Sequence, residues 1–315
     1  MRLVLLGDGE SPHLEKWARA LVSRVDLWAA SSRGFTPGLE ALLPASRRLA
    51  LGTAPDVEGG NAAVLRTLPR LAAWLKGVRA DWIHAHYLTS HGTLAWLATR
   101  LLGAPGRIAG SAWGSDILVA PQRSLAVRLL TRRVLRACAL ATSDSQVMAE
   151  RMRELGAREV MVFPFGLEAL PPAAAAPKDE SLFFANRGLE AIYRPQRVLE
   201  VFAEVARAWP QARLVVANDG SLRAALEARA AEPDLAGRVR FVGRIPPGAL
   251  AQEYDAARWY LSLPESDSVA VSVLEAMAHG CVPILSDLPA NRELVRLDDL
   301  VDLAIPLGGE ALIRF

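Results

Sequence analysis

Cysteine is scarce in this chain of 315 residues: Cys138 and Cys281 stand far apart and show no metal-ligand spacing. That argues against a disulfide framework and a thiolate metal site, and it fits a reducing compartment with both thiols as small core residues. No apolar run reaches the roughly 18 residues that a membrane-spanning helix needs. The opening MRLVLLGDGE has one positive charge and a very short apolar run that enters glycine at once, so it reads as a first β-strand and not as a signal peptide. Charge of one sign is missing as well. A total of 36 Lys+Arg against 34 Asp+Glu leaves a formal +2, too balanced for wholesale nucleic-acid binding. The basic residues are nearly all arginine, which in an Ala-, Leu- and Arg-rich chain reads as coding bias. The expectation is a soluble, cytoplasmic protein.

What is present is apolar and alternating. Hydrophobic residues make up 51% and charged residues 22%, enough to bury a large core. Short runs rich in Val, Leu and Ile predict strands at 2–6, 25–30, 81–86, 107–112, 140–143 and 161–165, with helical patterns between. GLEALPPAAAAPKDE (166–180) then has no periodicity and reads as a linker. Beyond it the alternation restarts, with strands predicted at 181–186, 212–218, 239–243, 258–263 and 281–286 and helices at 195–209 and 220–232. Unbroken apolar strands alternating with helices predict parallel sheets covered on both faces. The predicted organisation is two Rossmann-like α/β domains, 1–165 and 181–315, joined by 166–180 and facing across a cleft. Ligands of such sheets bind beyond the carboxyl ends of the strands.

The most informative stretch is SLPESDSVAVSVLEAMAHGCVPILSD (262–287). A strand ends, a polar turn follows, and AVSVLEAMAH reads as a helix stopped by Gly280. Asp267 falls at or just before the helix N-terminus, where a carboxylate can cap free N–H groups. The same N–H groups, from Ser268 through Val269 and Ala270 to Val271, can instead bind a phosphate. Glu275 lies two turns further, roughly 12 Å along the axis at 1.5 Å per residue. Such a helix offers an anion site at its tip and a carboxylate for paired hydroxyls, matching sugar, diphosphate and ribose in a nucleoside diphosphate sugar. The bland reading is an N-cap and a solvated glutamate.

With seven residues between Asp267 and Glu275 and EAMAHGCVPILSD running on from the glutamate, the chain resembles glycosyltransferase family 4, retaining enzymes of the two-domain GT-B fold. The first acidic position is Asp where the family more often has Glu, one methylene longer. FFANRGLEAIYRP (183–195) resembles the segment whose Arg grips the donor diphosphate. Arg187 falls on that Arg, Ile192 stands where a Lys is usual, and Arg194 is the candidate for the second positive charge. VVANDGSLRAALE (215–227) resembles a Gly-Asp-Gly turn near the nucleotide, with Asn218 for the first Gly and Asp219 following it. The segment from Phe241, with Arg244, resembles the one flanking the nucleobase. In the first half, GDGESPHLEKWARAL, DWIHAHYLTSHGTLA, SAWGSDIL and LATSDSQVMAERMRELG resemble the acceptor-domain strands and loops.

The resemblance implies transfer of a sugar from a nucleotide-sugar donor to a glycan or lipid-linked acceptor, with retention, in surface polysaccharide synthesis. Asp267, Arg187 and His86 are the implied catalytic set. Gly7, Gly9, His13, Trp113 and Asp116 are the implied acceptor side. Neither a cofactor nor a metal is expected, because the nucleotide sugar is a substrate. Family members run further past NRELV than DLVDLAIPLGGEALIRF does, so the C-terminal domain is expected to be incomplete. A non-catalytic nucleotide-binding relic or partner subunit is therefore the alternative, and a sugar-nucleotide epimerase on the same fold is a third reading.

Other features admit two readings. Gly7 and Gly9 follow the first strand as in dinucleotide-binding folds, but Pro12 replaces the third glycine. His84 and His86 share a strand face as two metal ligands do, without a third; His84 reads as a hydrogen-bonded core residue and His86 as a strand-end residue of the cleft. His13 and His91 begin helical stretches, meeting acceptor or phosphate on one reading and facing solvent on the other. Asp116 in WGSD is either a helix cap or a site residue. Arg128, Arg132 and Arg136 form a basic stripe, either a solvated outer face or a peripheral contact at the inner face of a membrane.

Overall fold

The computed structural model describes residues 1–53, 65–174 and 176–294. The chain divides into two compact units, the first Met1–Pro164 and the second beginning at Phe165. Each is built on one parallel sheet.

In the first unit β1 (Arg2–Gly7), β2 (Asp26–Ser31), β3 (Arg48–Ala50), β4 (Trp82–His86), β5 (Arg107–Ser111), β6 (Cys138–Ser143) and β7 (Val160–Val162) lie in the order β3-β2-β1-β4-β5-β6-β7. The second unit has β8 (Asp179–Ala185), β9 (Arg213–Ala217), β10 (Val239–Gly243), β11 (Ala257–Ser262) and β12 (Val282–Leu285), in the order β10-β9-β8-β11-β12. The strand order reverses between β1 and β4 in one sheet and between β8 and β11 in the other. Those are the places where loops diverge and leave room for a ligand.

The unbroken apolar strands are explained by the cores. Alternate residues of β1 leave on opposite faces: Val4 and Leu6 join one buried cluster, Leu3 and Leu5 another. In the second sheet Phe183, Val216 and Leu261 pack on one side, Phe184, Val215 and Tyr260 on the other. Helix starts follow local chemistry. Ser11, Thr36, Ser124 and Ser145 accept backbone N–H bonds at N-caps, and Pro12 and Pro37 open helices where a missing N–H costs nothing.

Two differences from the sequence reading have physical causes. The 161–165 strand stops at Val162, since Pro164 has no N–H for the ladder. The three-residue β3 was not predicted, being too short to carry periodicity. Among the described residues 163–178 hold neither helix nor strand, and β8 begins at Asp179. Both faces of the second sheet carry a core, while the terminal DLVDLAIPLGGEALIRF lies outside the described residues. Among the described residues no helix is long and apolar enough to cross a membrane.

Gly9 is fixed by space. A Cβ there would lie 2.4 Å from the Gly34 carbonyl oxygen, 2.6 Å from Phe35 Cδ1 and 2.9 Å from Ser31 Oγ. A carbonyl in the backbone cannot step aside, so Gly9→Ala is expected to cost about 2 kcal/mol or more in urea denaturation of the full chain. A variant as stable as the parent would show that the β1 loop is not packed this way.

Candidate functional site

At the reversal in the second sheet, the loops after β8 and β11 bring together residues some 80 positions apart. Arg187, just past β8, donates from Nη2 to Asp267 Oδ2 at 2.5 Å and from Nη1 to Ser272 Oγ at 3.2 Å. Its guanidinium carbon lies 4.5 Å from the centroid of the Tyr193 ring. Nε has no acceptor among the described residues. Asp267 Oδ1 accepts from Ser268 N at 3.0 Å. Asp267 is therefore not the helix cap: Ala270 occupies that position before helix Val271–Ala278 and makes no side-chain cap. Ser268, Val269 and Ala270 are buried, and the N–H groups of Val269 and Ala270 have no acceptor among the described residues.

Glu275 is no free-swinging surface glutamate. Its Oε2 accepts from Tyr254 Oη at 3.1 Å, inside a group that includes Asn186 and Tyr260. Asn218 has φ +84°, a left-handed conformation that glycine takes freely and asparagine tolerates best among other residues. There it donates from N to the Gly243 carbonyl at 2.7 Å and from Nδ2 to the Asn186 carbonyl at 3.2 Å. Asp219 faces outward and pairs with Arg223 at 3.7 Å. Arg194 caps helix Pro195–Ala208 in a left-handed conformation, and Arg244 is exposed. Among the described residues neither shares a hydrogen bond or ion pair with the Arg187 group.

The first unit concentrates aromatic rings at its own reversal. The His13 ring stacks on Trp113 at 4.7 Å, Trp113 lies 5.8 Å from His86, and His86 lies 4.3 Å from His84. Trp17 meets both histidines edge-on. His84 is the hydrogen-bonded core residue that was expected: Nε2 lies 2.7 Å from Ser111 Oγ, which bonds Thr142 Oγ1. His86 is buried, and neither ring nitrogen has a partner among the described residues. Gly7 packs against it; a Cβ there would stand 3.3 Å from His86 Cβ. Among the described residues, no set of three or more His, Cys, Asp or Glu is arranged to hold a metal.

Two expectations need correction. Asp116 is wholly buried and lines no open surface; its oxygens accept from Trp113 N at 2.9 Å and Leu88 N at 2.8 Å, tying two loops together. His91 is buried against Ser90, so it does not meet solvent. Neither burial has a local sequence signal, because the packing partners come from other elements. The missed residues Tyr254, Asn186 and Ser272 belong to no quoted motif contact and are joined only by folding.

Burial sets the protonation of this region. It pushes His84 and His91 down to about 4, the His86 carbonyl partly countering it for His91. His86 goes well below its ordinary value through burial first and the neighbouring imidazoles second. Asp116 is pushed up to about 6 by burial, against the pull of its two backbone N–H donors. In the second unit burial raises Asp267 while Arg187 opposes the rise. Burial lowers Arg187, but Asp267 and, to a lesser degree, the surrounding tyrosines together outweigh it, so the guanidinium stays charged.

Residues 8–166 match the family described as glycosyl transferase 4-like domain, and residues 168–301 match glycosyl transferases group 1. Alpha-monoglucosyldiacylglycerol synthase of Streptococcus pneumoniae is 32% identical over 100 residues, 32% of this chain and 23% of that protein. The matched stretch is thus about a quarter of the curated relative's length. Among solved structures, Anabaena HepE in complex with UDP-glucose is similar with a TM-score of 0.73 at 14% identity, over 94% of this chain and 83% of that one. Sucrose-phosphate synthase from Thermosynechococcus elongatus has a TM-score of 0.73 at 16% identity, over 95% and 84%. At such identities the likeness is one of fold, two parallel-sheet Rossmann-like domains of the GT-B class.

The buried imidazoles make the first unit acid-sensitive. A histidine whose folded value lies below the unfolded value of about 6.5 binds its proton mainly after unfolding, so stability falls as pH drops through that window. Asp116 runs the other way, regaining stability as pH falls through about 6. At pH 5 His84 and His91 each lose about 2 kcal/mol and Asp116 returns about 1, so the histidines win. The urea midpoint followed by tryptophan fluorescence should drop between pH 7.5 and 5, and drop less in His84→Gln. A midpoint flat across that range would contradict neutral, buried imidazoles.

Proposed function

The chain belongs to the glycosyl transferase 4-like family, and from that premise we propose that it transfers a sugar from a nucleotide-sugar donor to a glycan or lipid-linked acceptor, with retention of anomeric configuration. The observation that carries this reading is the Arg187 guanidinium at the β8–β11 reversal, bonded to Asp267 on the loop whose Val269 and Ala270 N–H groups have no acceptor among the described residues. A buried guanidinium and backbone N–H donors on the adjoining loop suit a diphosphate, and such donors gain strength as charge builds on the leaving group.

The other residues take roles in this reading. Glu275 accepts from the ribose hydroxyls, and Asp267 holds hydroxyls of the transferred sugar. Asp267 already has one oxygen on Arg187 and the other on Ser268 N, which weakens it as a covalent nucleophile and favours front-face attack. Asn218 and Asp219 shape the turn beside the nucleotide. His86, His13 and Trp113 form the acceptor subsite of the first unit, with His86 acting as a neutral hydrogen-bonding group. Surface polysaccharide synthesis is the setting this chemistry fits.

A membrane face also belongs to the proposal. Helix Leu125–Ala137 exposes Leu125 at 72% and Leu129 at 50% of their surface, in line with Arg132 and Arg136 and flanked by Arg128 and Arg133. No acidic residue occurs from 117 to 143. Apolar side chains ringed by unopposed arginines suit the inner leaflet, where each basic residue near anionic lipid contributes about 1 kcal/mol.

Two measurements test the reading. Calorimetric titration with UDP, GDP and their glucose and mannose esters should show micromolar binding of one set, and Arg187→Ala should weaken it roughly 100-fold by removing charge-assisted bonds. A folded wild-type chain that binds none of them is the non-catalytic relic. The chain should also sediment with phosphatidylglycerol vesicles but not with phosphatidylcholine, and Arg128→Gln with Arg132→Gln should release it. Equal behaviour toward both vesicles would make the helix a plain solvated face.

A further inference from the structure

A buried hydrogen-bond chain connects Arg187 to Glu275 through residues that no motif assigns. Arg187 Nη1 donates to Ser272 Oγ at 3.2 Å, and the Ser272 carbonyl lies 3.2 Å from Tyr254 Oη. Tyr254 Oη also reaches Glu275 Oε2 at 3.1 Å and accepts from Asn186 Nδ2 at 2.8 Å. Asn186 Oδ1 accepts from Tyr260 Oη at 2.6 Å.

The order of donors in this chain follows from the bond that Tyr260 makes to Asn186. A phenol has one proton to give, and Tyr260 gives its own to Asn186 Oδ1. That places the Asn186 amide hydrogens toward Tyr254, whose oxygen then accepts. The Tyr254 proton is left for the Ser272 carbonyl or the Glu275 carboxylate, and an ionised acceptor makes the stronger bond.

Tyr254 cannot turn away from this arrangement. It is 1% exposed, its ring meets Phe184 edge-on at 5.1 Å, and His279 stacks on it at 5.3 Å. His279 is itself held by Asp255 at 2.7 Å. The Tyr254 carbonyl accepts from Lys178 Nζ at 2.8 Å, which fixes the end of helix Pro247–Ala256. Burial holds the phenol far above its ordinary range, so it remains a donor.

We propose that Tyr254 is a positioning residue, oriented by Asn186 and Tyr260, that fixes the Glu275 carboxylate for a vicinal ribose diol and so makes the site selective for ribonucleotides. The proposal rests on the ribose role given to Glu275 above. A carboxylate held by a rigid phenol meets both hydroxyls of a cis diol without reorganising, whereas a loose one pays rotamer entropy and gains little from the second hydroxyl.

The test compares UDP with 2′-deoxy-UDP, and GDP with 2′-deoxy-GDP, by calorimetry on the full chain and on Tyr254→Phe. The wild type should favour the ribonucleotide by roughly 10-fold, and Tyr254→Phe should bring the two within roughly 3-fold while leaving the deoxynucleotide nearly unchanged. A merely structural tyrosine would weaken both nucleotides together, and that result overturns the proposal. Tyr260→Phe, which frees Asn186 without touching Tyr254, should move the ratio the same way by less. It keeps the test decisive if Tyr254→Phe does not fold: an unchanged ratio there overturns the proposal. A wild type that binds no nucleotide defeats the donor reading together with this one, whereas binding with undiminished selectivity in both variants defeats this one alone.

Discussion

A largely buried guanidinium has to be answered by charge, and Arg187 organises the second unit around that requirement. Its side chain keeps only 18% of its surface, as does that of Asp267, so neither ion can rely on water. Removing one partner would leave the other charged and dry, which costs more than the pair contributes. The loops after β8 and β11 are therefore held to each other by an interaction that neither can give up cheaply. Ser272 and Tyr193 complete the surroundings of the cation, one by a hydrogen bond and one by its ring face.

Such a contact can form only where strand order reverses. In both sheets each strand delivers its loop at the carboxyl end, and adjacent loops diverge only at β1–β4 and β8–β11. The first unit fills its gap with rings, His86 under Trp113 and Trp113 under His13. The second fills its gap with charges. Tyr87, directly after β4, has φ +71°, and Gly114, after Trp113, has φ +99°. A β-carbon tolerates the first poorly, and the bonds from Asp116 to Leu88 and Trp113 show what holds those loops down.

Much of this was legible in the sequence, and what was not follows a pattern. Strands were readable because a two-faced sheet makes them uniformly apolar, and helices because Ser, Thr and Pro mark their starts. Arg187, Asp267 and Glu275 could be singled out by motif, but the bond between the first two could not, since it joins positions 80 apart. Read locally, Asp267 looked like a helix cap; its true partners are Arg187 and the next N–H. Asp116 read as a helix cap or site residue and His91 as facing acceptor, phosphate or solvent for a similar reason, as polarity does not reveal burial once N–H groups and hydroxyls answer it. Tyr254 lies a short way beyond Arg244, yet its importance depends on Asn186 and Glu275 arriving from two other elements.

The shorter carboxylate at 267 now has a physical account. The family more often has glutamate at this position, and the loss of a methylene first reads as a loss of reach toward the sugar. In place, Asp267 keeps its head group close to its own backbone, one oxygen on Ser268 N and the other on Arg187. An added methylene would carry the head group past that N–H and loosen the grip on the guanidinium. On the donor reading proposed above, the same closeness would set up a competition, because phosphate oxygens and this carboxylate would seek the same cation. Burial already disfavours the ionised aspartate, so a doubly charged diphosphate offering several acceptors would hold the advantage for Arg187. Displaced from the guanidinium but still anchored by Ser268, the aspartate would be left facing whatever the diphosphate carries.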